Sequence, residues 1–471
     1  MSTFSGISTA LSSLIAQRQG LDVSAQNLAN ANTVGYTRQR ATLTPISGAS
    51  VPAMFATTDG VGTGVQVGSI DRLADAFIDA RLRTATGDSS YLAARADAYG
   101  TVEGSLGEPG TGALSTQLTA FWSSWQQASN YPDASANRSV LLTKAQAVVD
   151  QLHTLSSDVS TQWSDTRSST ASLVDQVNAT ATSVADLNHR ILGLSTSGAP
   201  TGELADQRDQ LITTLSGLVG ATTSTRSDGQ LDVMVGGNAL VSGGKAHALN
   251  LTGATTYGQA ATGTSVALQW TEHPTVPVNL SGGKVPGQIS VLAPPQPDGS
   301  GGILTEAGAR MDQVAAALAT AVNGLHTTAT TNAGVAGGAF FTFGGAPSAA
   351  TLQLAITDPA DVALADSTKG TNDGSIGLQI SKLGKAAGSP DQLWSETVVD
   401  IGSKTAAATS RGTVAESARS TIEAQQTSGA AVDSDEETVN MLAFQRAYQA
   451  AARVMTTIDS VLDTLINRMA V

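Results

Sequence analysis

The sequence of 471 residues contains no cysteine. Disulfide bonds, thiolate zinc sites and thiol nucleophiles are therefore excluded. The chain is also indifferent to the redox state of its compartment, which suits an exported protein. It has five scattered histidines, for which we expect ordinary surface or core roles. Because H-E-x-x-H, G-x-x-x-x-G-K-[ST] and G-x-S-x-G motifs are all missing, we predict no catalytic, metal or cofactor site and no enzymatic activity.

Charge and aromatic residues are scarce as well. Charged residues make up 14% of the chain and aromatic residues 4%, whereas ordinary domains contain about 25% charged residues. The formal net charge of −14 argues against a nucleic-acid-binding surface. No apolar run approaches the ~18 residues that a membrane span needs, so we expect no membrane insertion. No basic residue precedes Arg18, so we expect no cleavable secretory signal and expect any export to leave the N-terminus in place.

Apolar residues recur in a heptad pattern over residues 4–32. Only Arg18 and the terminal Asn32 break this stripe. A sustained repeat of this kind favours helices that pack against partner helices over a lone surface helix. We interpret the stripe as an N-terminal assembly seam, formed by Phe4, Ile7, Leu11, Leu14, Leu21 and Leu28.

A cleaner heptad pattern occupies the C-terminus. Ser434 and Glu437 are predicted to form a capping box where this last helix begins. We interpret its stripe as an assembly or chaperone-binding seam, formed by Met441, Phe444, Tyr448, Ala451, Met455, Ile458, Leu462, Leu465 and Met469. The two terminal seams are predicted to pair with each other. Since termini usually fray, apolar seams at both ends also suggest helices that neighbouring subunits order.

A third heptad pattern runs without a slip from Leu142 to Leu194. It predicts one helix that begins behind Pro132, ends near Gly193 and Gly198 and is roughly 80 Å long, at 1.5 Å per residue. Globular helices are usually 8–20 residues long. This helix therefore predicts a rod.

The middle of the chain has a different pattern. Alternating residues and Gly-Gly pairs over 221–300 predict β structure, and a helix is predicted over 303–328. The predicted fold is mainly α with an inserted β-rich domain: terminal helices paired as a coiled coil, a long helical rod and an outward β domain. Residues 35–70 are predicted to be extended and irregular. The predicted domains are an inner core (1–72 and 430–471), a helical rod domain (73–220 and 396–429) and a β-rich outer domain (221–395).

One segment carries a recognisable motif, Ala25-Gln-Asn-Leu-Ala-Asn-Ala-Asn-Thr-Val-Gly-Tyr-Thr-Arg-Gln39. Its asparagines can cap a helix end and its glycine can adopt a positive φ. The motif residues are Asn27, Asn30, Asn32, Gly35 and Tyr36. The segment resembles the N-terminal signature of bacterial flagellar axial proteins, and residues 440–454 resemble the C-terminal signature of the same family. Val34 stands where this family usually has proline.

Other segments resemble one branch of that family, the hook-associated protein 1 family. They are residues 62–72, 202–211, 302–310 and 321–326. Many members carry an extra outer β domain after a Phe-Phe pair. Here Phe340-Phe341 is followed almost immediately by residues 352–361, which look like the next inner stretch, so we predict that this insertion is absent or reduced.

The resemblance implies a structural adaptor between the flagellar hook and the filament, located outside the cell. Such a protein would form a layer on the hook tip, on which the second junction protein and then the filament assemble. The implied partners are further copies of the chain in a ring or helical layer, the hook protein, the second hook-associated junction protein, a flagellar export chaperone and the type III export apparatus.

Two other interpretations stay open. A hook or rod subunit would share the terminal motifs, although residues 142–216 argue against it. Alternatively, the β-rich middle could be an extracellular adhesive module on a helical stalk.

Overall fold

The computed structural model of the chain describes residues 3–47 and 62–464. The helices are α1 (Thr3–Ala29), α2 (Ala76–Leu106), α3 (Leu114–Asn130), α4 (Ser135–Thr196), α5 (Gly202–Val219), α6 (Tyr257–Ala261), α7 (Lys284–Val291), α8 (Ile303–His326), α9 (Ser375–Ser381), α10 (Pro390–Ala430) and α11 (Ser434–Asp463). The described residues contain no helix that is both long and apolar enough to cross a membrane.

The strands are short by comparison. They are β1 (Gln39–Ile46), β2 (Gly64–Arg72), β3 (Thr222–Thr225), β4 (Leu231–Val235), β5 (Asn238–Ser242), β6 (Lys245–Ala246), β7 (Leu249–Gly253), β8 (Val266–Trp270), β9 (Ala329–Thr330), β10 (Phe341–Phe343), β11 (Leu352–Leu354) and β12 (Ala365–Asp366). Strands β3 to β6 form one antiparallel sheet, and the other strands pair two by two. The predicted fold class, mainly α with a β-rich insert, is confirmed.

The predicted long helix is also confirmed. It is α4, with 62 residues, and at 1.5 Å per residue it is about 93 Å long. It begins after Pro132 and ends before Gly198. Most side chains of the predicted heptad series are buried, including the central Trp163 and Thr170, whereas the last one, Leu194, is exposed.

Two hydrophobic cores lie along α4. The first joins the N-terminal half of α4 to α2, α3, α8 and α10, and it contains Trp125, Trp163 and Phe340. The second joins the C-terminal half of α4 to α5 and to strands β4, β5, β7 and β8. Both cores contain side chains from before and from after residue 220 in the sequence. Residue 220 is the predicted boundary between the rod domain and the outer domain. The predicted division into three domains stays a prediction.

The extended segment after α1 is more regular than expected. Strands β1 and β2 form an antiparallel pair in which Gln39 lies opposite Arg72 and Ile46 lies opposite Gly64. Proline and several glycines obscure this alternation in the sequence, yet Pro45 is tolerated because each strand of a two-stranded sheet is an edge. Residues 48–61 of the predicted segment lie outside the described residues.

Three short helices of the described chain occupy segments that were predicted to contain only strands and loops. These are α6, with 5 residues, α7, with 8 residues, and α9, with 7 residues. Helices of about two turns or fewer are too short to display a clear 3.6-residue period, so the sequence pattern does not reveal them.

The predicted capping box of α11 is wrong. Asp433 is the N-cap, and its side chain accepts hydrogen bonds from the backbone N–H groups of Asp435 and Glu436. Glu437 is instead used by a tertiary ion pair with Arg38, which a local sequence motif cannot anticipate.

Candidate assembly site

Helices α1 and α11 pack against each other in antiparallel orientation. A Cβ atom built at Gly6 would lie 3.1 Å from Ile458 Cδ1, and one built at Gly20 would lie 2.6 Å from Phe444 Cε1. The absence of side chains at these glycines therefore permits the close approach of the two helices. Ala10 and Ser24, each one turn further along the same face, are buried. Helix α1 thus presents small residues to α11.

This geometry changes the interpretation of the N-terminal seam. Ile7, Leu14 and Leu21 are half-buried, while Leu11 is 49% and Leu28 is 36% exposed. The side chain of Phe4 lies outside the description. The predicted stripe therefore flanks the contact with α11 and does not form its centre. The repeat of glycine, alanine and serine every three or four residues indicates the face of α1 that meets α11. The heptad pattern of large apolar residues indicates a neighbouring face instead.

The C-terminal seam lies on the side of α11 that faces α1. Ala451 is buried, Tyr448 is 41% exposed, and the remaining described members are half-buried: Met441, Phe444, Met455, Ile458 and Leu462. Leu465 and Met469 lie outside the described residues. Away from this seam, α11 leaves Leu442, Val454 and Val461 exposed. Whether either seam acts in assembly stays a prediction.

The asparagine-rich motif fastens the end of α1 to the first strand. Asn27 is buried, and its Oδ1 accepts hydrogen bonds from the Gln39 N–H at 2.9 Å and from the Tyr36 hydroxyl at 2.9 Å. Its Nδ2 donates to the Gln39 carbonyl at 2.8 Å. Burial, reinforced by the negative charge of Asp206, raises the pKa of Tyr36 to about 12. Tyr36 therefore remains a protonated donor at neutral pH.

The other motif residues shape the turn. Asn30 Nδ2 donates to the Gln26 carbonyl at 3.0 Å, and its Oδ1 accepts from Thr33 Oγ1 at 3.1 Å. Gly35 has a φ of +75°, and the side chain of Gln210 occupies the place that a Cβ atom would take. Asn32 is exposed. The structure therefore brings Asn27, Asn30, Gly35 and Tyr36 together in one turn, with Asn32 at its surface.

An ionic network connects this turn to α5. Arg72 Nη2 lies 2.5 Å from Asp206 Oδ1 and 2.9 Å from Asp209 Oδ2. Asp206 also accepts the Thr37 N–H at 3.1 Å, and Asp209 lies 3.3 Å from Arg83 Nη2 on α2. Burial opposes the charge of Arg72, but the two aspartates outweigh it and raise its pKa. The motif of residues 202–211 thus has a structural purpose, because its aspartates hold β2 and α2 against α5.

A second ion-pair group joins the two ends of the chain. Arg38 Nη2 lies 2.8 Å from Glu436 Oε1, and Arg38 Nε lies 2.6 Å from Glu437 Oε1. The Arg38 N–H also donates to the carbonyl of Ala430 at 2.9 Å. The hydrogen bonds that Arg38 donates to Glu436 lower the pKa of Glu436. Because Glu437 is only 2% exposed, the contact between Arg38 and Glu437 is largely removed from solvent.

We call these two ionic groups, together with Asn27 and Tyr36, the terminal joint. A cavity of about 510 Å³ adjoins it, and the lining of this cavity includes Tyr36, Arg72 and Asp206 of the joint, together with Gln426. Among residues 3–47 and 62–464, no three His, Asp or Glu side chains are grouped so that they could hold a metal ion. The side chains of the terminal joint hold helices and strands in fixed positions relative to one another.

Comparison with known proteins identifies the family. A profile described as the helical domain of the flagellar hook-associated protein FlgK matches residues 99–341, which is just over half of the chain. The chain belongs to the FlgK family. Its ends match two further profiles: residues 7–37 match the flagella basal body rod protein, and residues 424–469 match the C-terminal part of the flagellar basal body rod FlgEFG proteins.

Curated relatives agree over the whole length. Flagellar hook-associated protein 1 of Bacillus subtilis is 30% identical over 511 residues, which cover 100% of this chain and 99% of that protein. The protein of the same name from Escherichia coli is 27% identical over 551 residues, covering 98% and 99% of the two chains. Both alignments are longer than 471 residues, so these relatives have residues without a counterpart here. The predicted reduction of the outer insertion stays a prediction.

A solved structure shares the fold. The flagellar hook junction protein FlgK of Burkholderia pseudomallei aligns with 74% of this chain and 99% of its own, with a TM-score of 0.63 and 15% sequence identity. The family profile and the curated relatives identify the protein as a structural component of the bacterial flagellum, and the resemblance inferred from its motifs is confirmed.

Proposed function

We propose that this protein is the structural adaptor between the flagellar hook and filament. Copies of it form a layer on the hook tip, in contact with the hook protein, and the second hook-associated junction protein and the filament assemble on that layer. The observation that carries this proposal is the similarity to hook-associated protein 1 over the full length of the chain. The proposal places the protein outside the cell and assigns it no enzymatic role.

The outer faces of the terminal helices support assembly with neighbouring copies. Leu11 and Ile15 of α1 are 49% and 59% exposed, and Val454 of α11 is 51% exposed. Two paired helices cover only one face of each other, so these apolar side chains lack cover in a single chain. Arg18 and Asp22 are the only charged residues of α1, and sparse charge suits dense helix packing. A second helix layer from an adjacent copy would cover the exposed face.

The C-terminal seam supports an export step. In the folded chain its half-buried residues depend on α1 for cover, and in an unfolded chain they have none. A flagellar export chaperone that binds this seam would prevent premature association before the type III apparatus moves the chain out of the cell.

In the assembled layer, we propose that the terminal helices form an inner wall, followed by a helical rod and an outward β-rich part.

Deletion of the gene followed by electron microscopy tests the proposal. We expect bare hooks on the cells and filament protein lost to the medium, and we expect the full-length gene to restore filaments. A gene that lacks codons 440–471 should fail to restore filaments, because its product lacks the C-terminal seam. Cells that keep intact filaments after the deletion would rule out the adaptor role.

A further inference from the structure

Among the residues that the structure describes, four asparagine side chains, each on a helix, bind strands in the same way. In each case Oδ1 accepts the backbone N–H of one strand residue and Nδ2 donates to the backbone C=O of that same residue. The donor–acceptor distances lie between 2.7 and 3.3 Å. The pairs are Asn27 with Gln39, Asn178 with Leu249, Asn188 with Leu231 and Asn323 with Phe341.

The four bound residues have equivalent positions in their strands. They are the first residues of β1, β4, β7 and β10. In a β-ladder, an adjacent strand supplies one N–H donor and one C=O acceptor to such a residue. The asparagine amide carries the same two groups. Each asparagine therefore takes the place of an adjacent strand at the point where its strand begins.

We propose that these four asparagines are positioning residues that set strand register. Three of the four strands belong to two-stranded sheets, which are marginal in water and depend on packing. A slip of one residue would turn every buried side chain of such a strand to the opposite face. In the β7–β8 pair, for example, Leu249 lies opposite Trp270, and both are buried.

The amide is essential to this device because both of its groups are used. An aspartate at the same position keeps one acceptor, but its second, ionised oxygen faces the backbone carbonyl oxygen and repels it. A protonated carboxyl group can donate a hydrogen bond to that carbonyl. An Asn→Asp variant should therefore be destabilised when its carboxyl is ionised and should recover when the carboxyl is protonated. A leucine of similar size loses both hydrogen bonds at every pH.

Asn178 on α4 offers a well-isolated test. Strands β7 and β8 have the sequences LNLTG and VALQW and carry no ionisable residue. The surrounding elements contribute Asp175 on α4, Asp209 as the last ionisable residue of α5, Lys284 on α7 and the His247–Glu272 pair that flanks the two strands. Asn250 is exposed on β7, next to Leu249. It provides a matched control for the same change of amide to carboxyl.

The experiment compares urea unfolding of the full chain and of N178D, N178L and N250D at pH 7.5 and pH 4.5. We expect N178D to raise the unfolding equilibrium constant about 10- to 100-fold over wild type at pH 7.5. The pKa of the introduced carboxyl should rise above its usual value, so this excess should fall at least about threefold at pH 4.5. N178L should show a similar excess at both pH values, and N250D should follow wild type.

Hydrogen exchange at pH 7.5 locates the effect. In N178D the amides of residues 249–270 should exchange faster than in wild type, while those of α8 should not. If N178D does not fold at pH 7.5, its recovery of native circular dichroism at pH 4.5 supports the proposal, and failure to recover overturns it. A pH-independent defect in N178D, or equal behaviour of N178D and N250D, also overturns it.

Discussion

The first core and the terminal helix pair differ in the size of the side chains that they bury. The first core is filled by large residues such as Trp125, Trp163 and Phe340, all fully buried. The α1–α11 contact sets glycine, alanine and serine of α1 against larger residues of α11 such as Phe444. In the described part of α11 only Glu437 and Ala451 are buried. A core of large side chains stabilises the chain by itself, because burial of apolar area grows with side-chain size. The terminal pair instead leaves several larger apolar residues exposed, among them Leu11 and Ile15 of α1 and Val454 of α11.

Phe340→Ala should have the largest effect on stability. The ring is fully buried, with its centroid 5.1 Å from that of Trp125 and 5.4 Å from that of His326. Its loss should lower the free energy of unfolding by about 3–5 kcal/mol, measured by urea denaturation. Phe77→Ala, at a site that is 70% exposed, is the control and should change it by less than about 0.5 kcal/mol. Similar losses in both variants would remove the contrast between the two regions.

Gly20→Leu should separate the terminal pair without unfolding the first core. A Cβ atom at this position would lie 2.6 Å from the Phe444 ring, and overpacking of this kind costs about 1–3 kcal/mol. We expect α1 to become sensitive to limited proteolysis while the main urea transition stays in place. Gly104→Leu on α2, where nothing lies within 4 Å of an added Cβ, should leave α1 protected. Protection of α1 in both variants would contradict the small-residue contact.

His326 should make the stability of the first core depend on pH. Its Nδ1 donates to the Gly338 carbonyl at 2.7 Å, and its Nε2 accepts the Ala363 N–H at 2.9 Å. Burial lowers its pKa below the ordinary 6.5. The stability that depends on the neutral ring is therefore complete above pH 6.5 and is lost as the pH falls toward the folded-state pKa.

The comparison of wild type with His326→Gln measures this pH-dependent part of the stability. The difference between their free energies of unfolding should narrow as the pH falls below 6.5, because glutamine does not titrate. A difference that stays constant with pH would show that burial does not lower the pKa of His326 in the folded chain.

The smallest effect on stability is expected for Leu11→Ser combined with Ile15→Ser. Both side chains are exposed, so the free energy of unfolding of the single chain should change by less than about 0.5 kcal/mol. Assembly on hooks, followed by electron microscopy, should nevertheless be lost. Val414→Ser on α10, at a site that is 67% exposed, should assemble normally. Normal assembly of the double variant would exclude this face as a contact between copies.

Helix positions followed from the sequence wherever a pattern repeated over many turns. The course of α4 is visible from residue 142 onward because one period persists without a slip from Leu142 to Leu194. Short elements were not visible: α7 and α9 offer two turns each, and β1 is interrupted by Pro45. The motif Asn27 to Tyr36 indicated the family, but its role in binding the first strand depends on Gln39 and became apparent only in three dimensions.

The sequence by itself determined the family, the mainly α fold and the long helix, because these depend on local motifs and on periodicity along the chain. Only the tertiary structure decided which face of α1 meets α11, that Glu437 pairs with Arg38, and that asparagines on helices bind the first residues of four strands. Each of these depends on residues far apart in the chain. Periodicity shows that a helix has an apolar face, but the space left by small residues such as Gly20 decides which face a partner helix can approach.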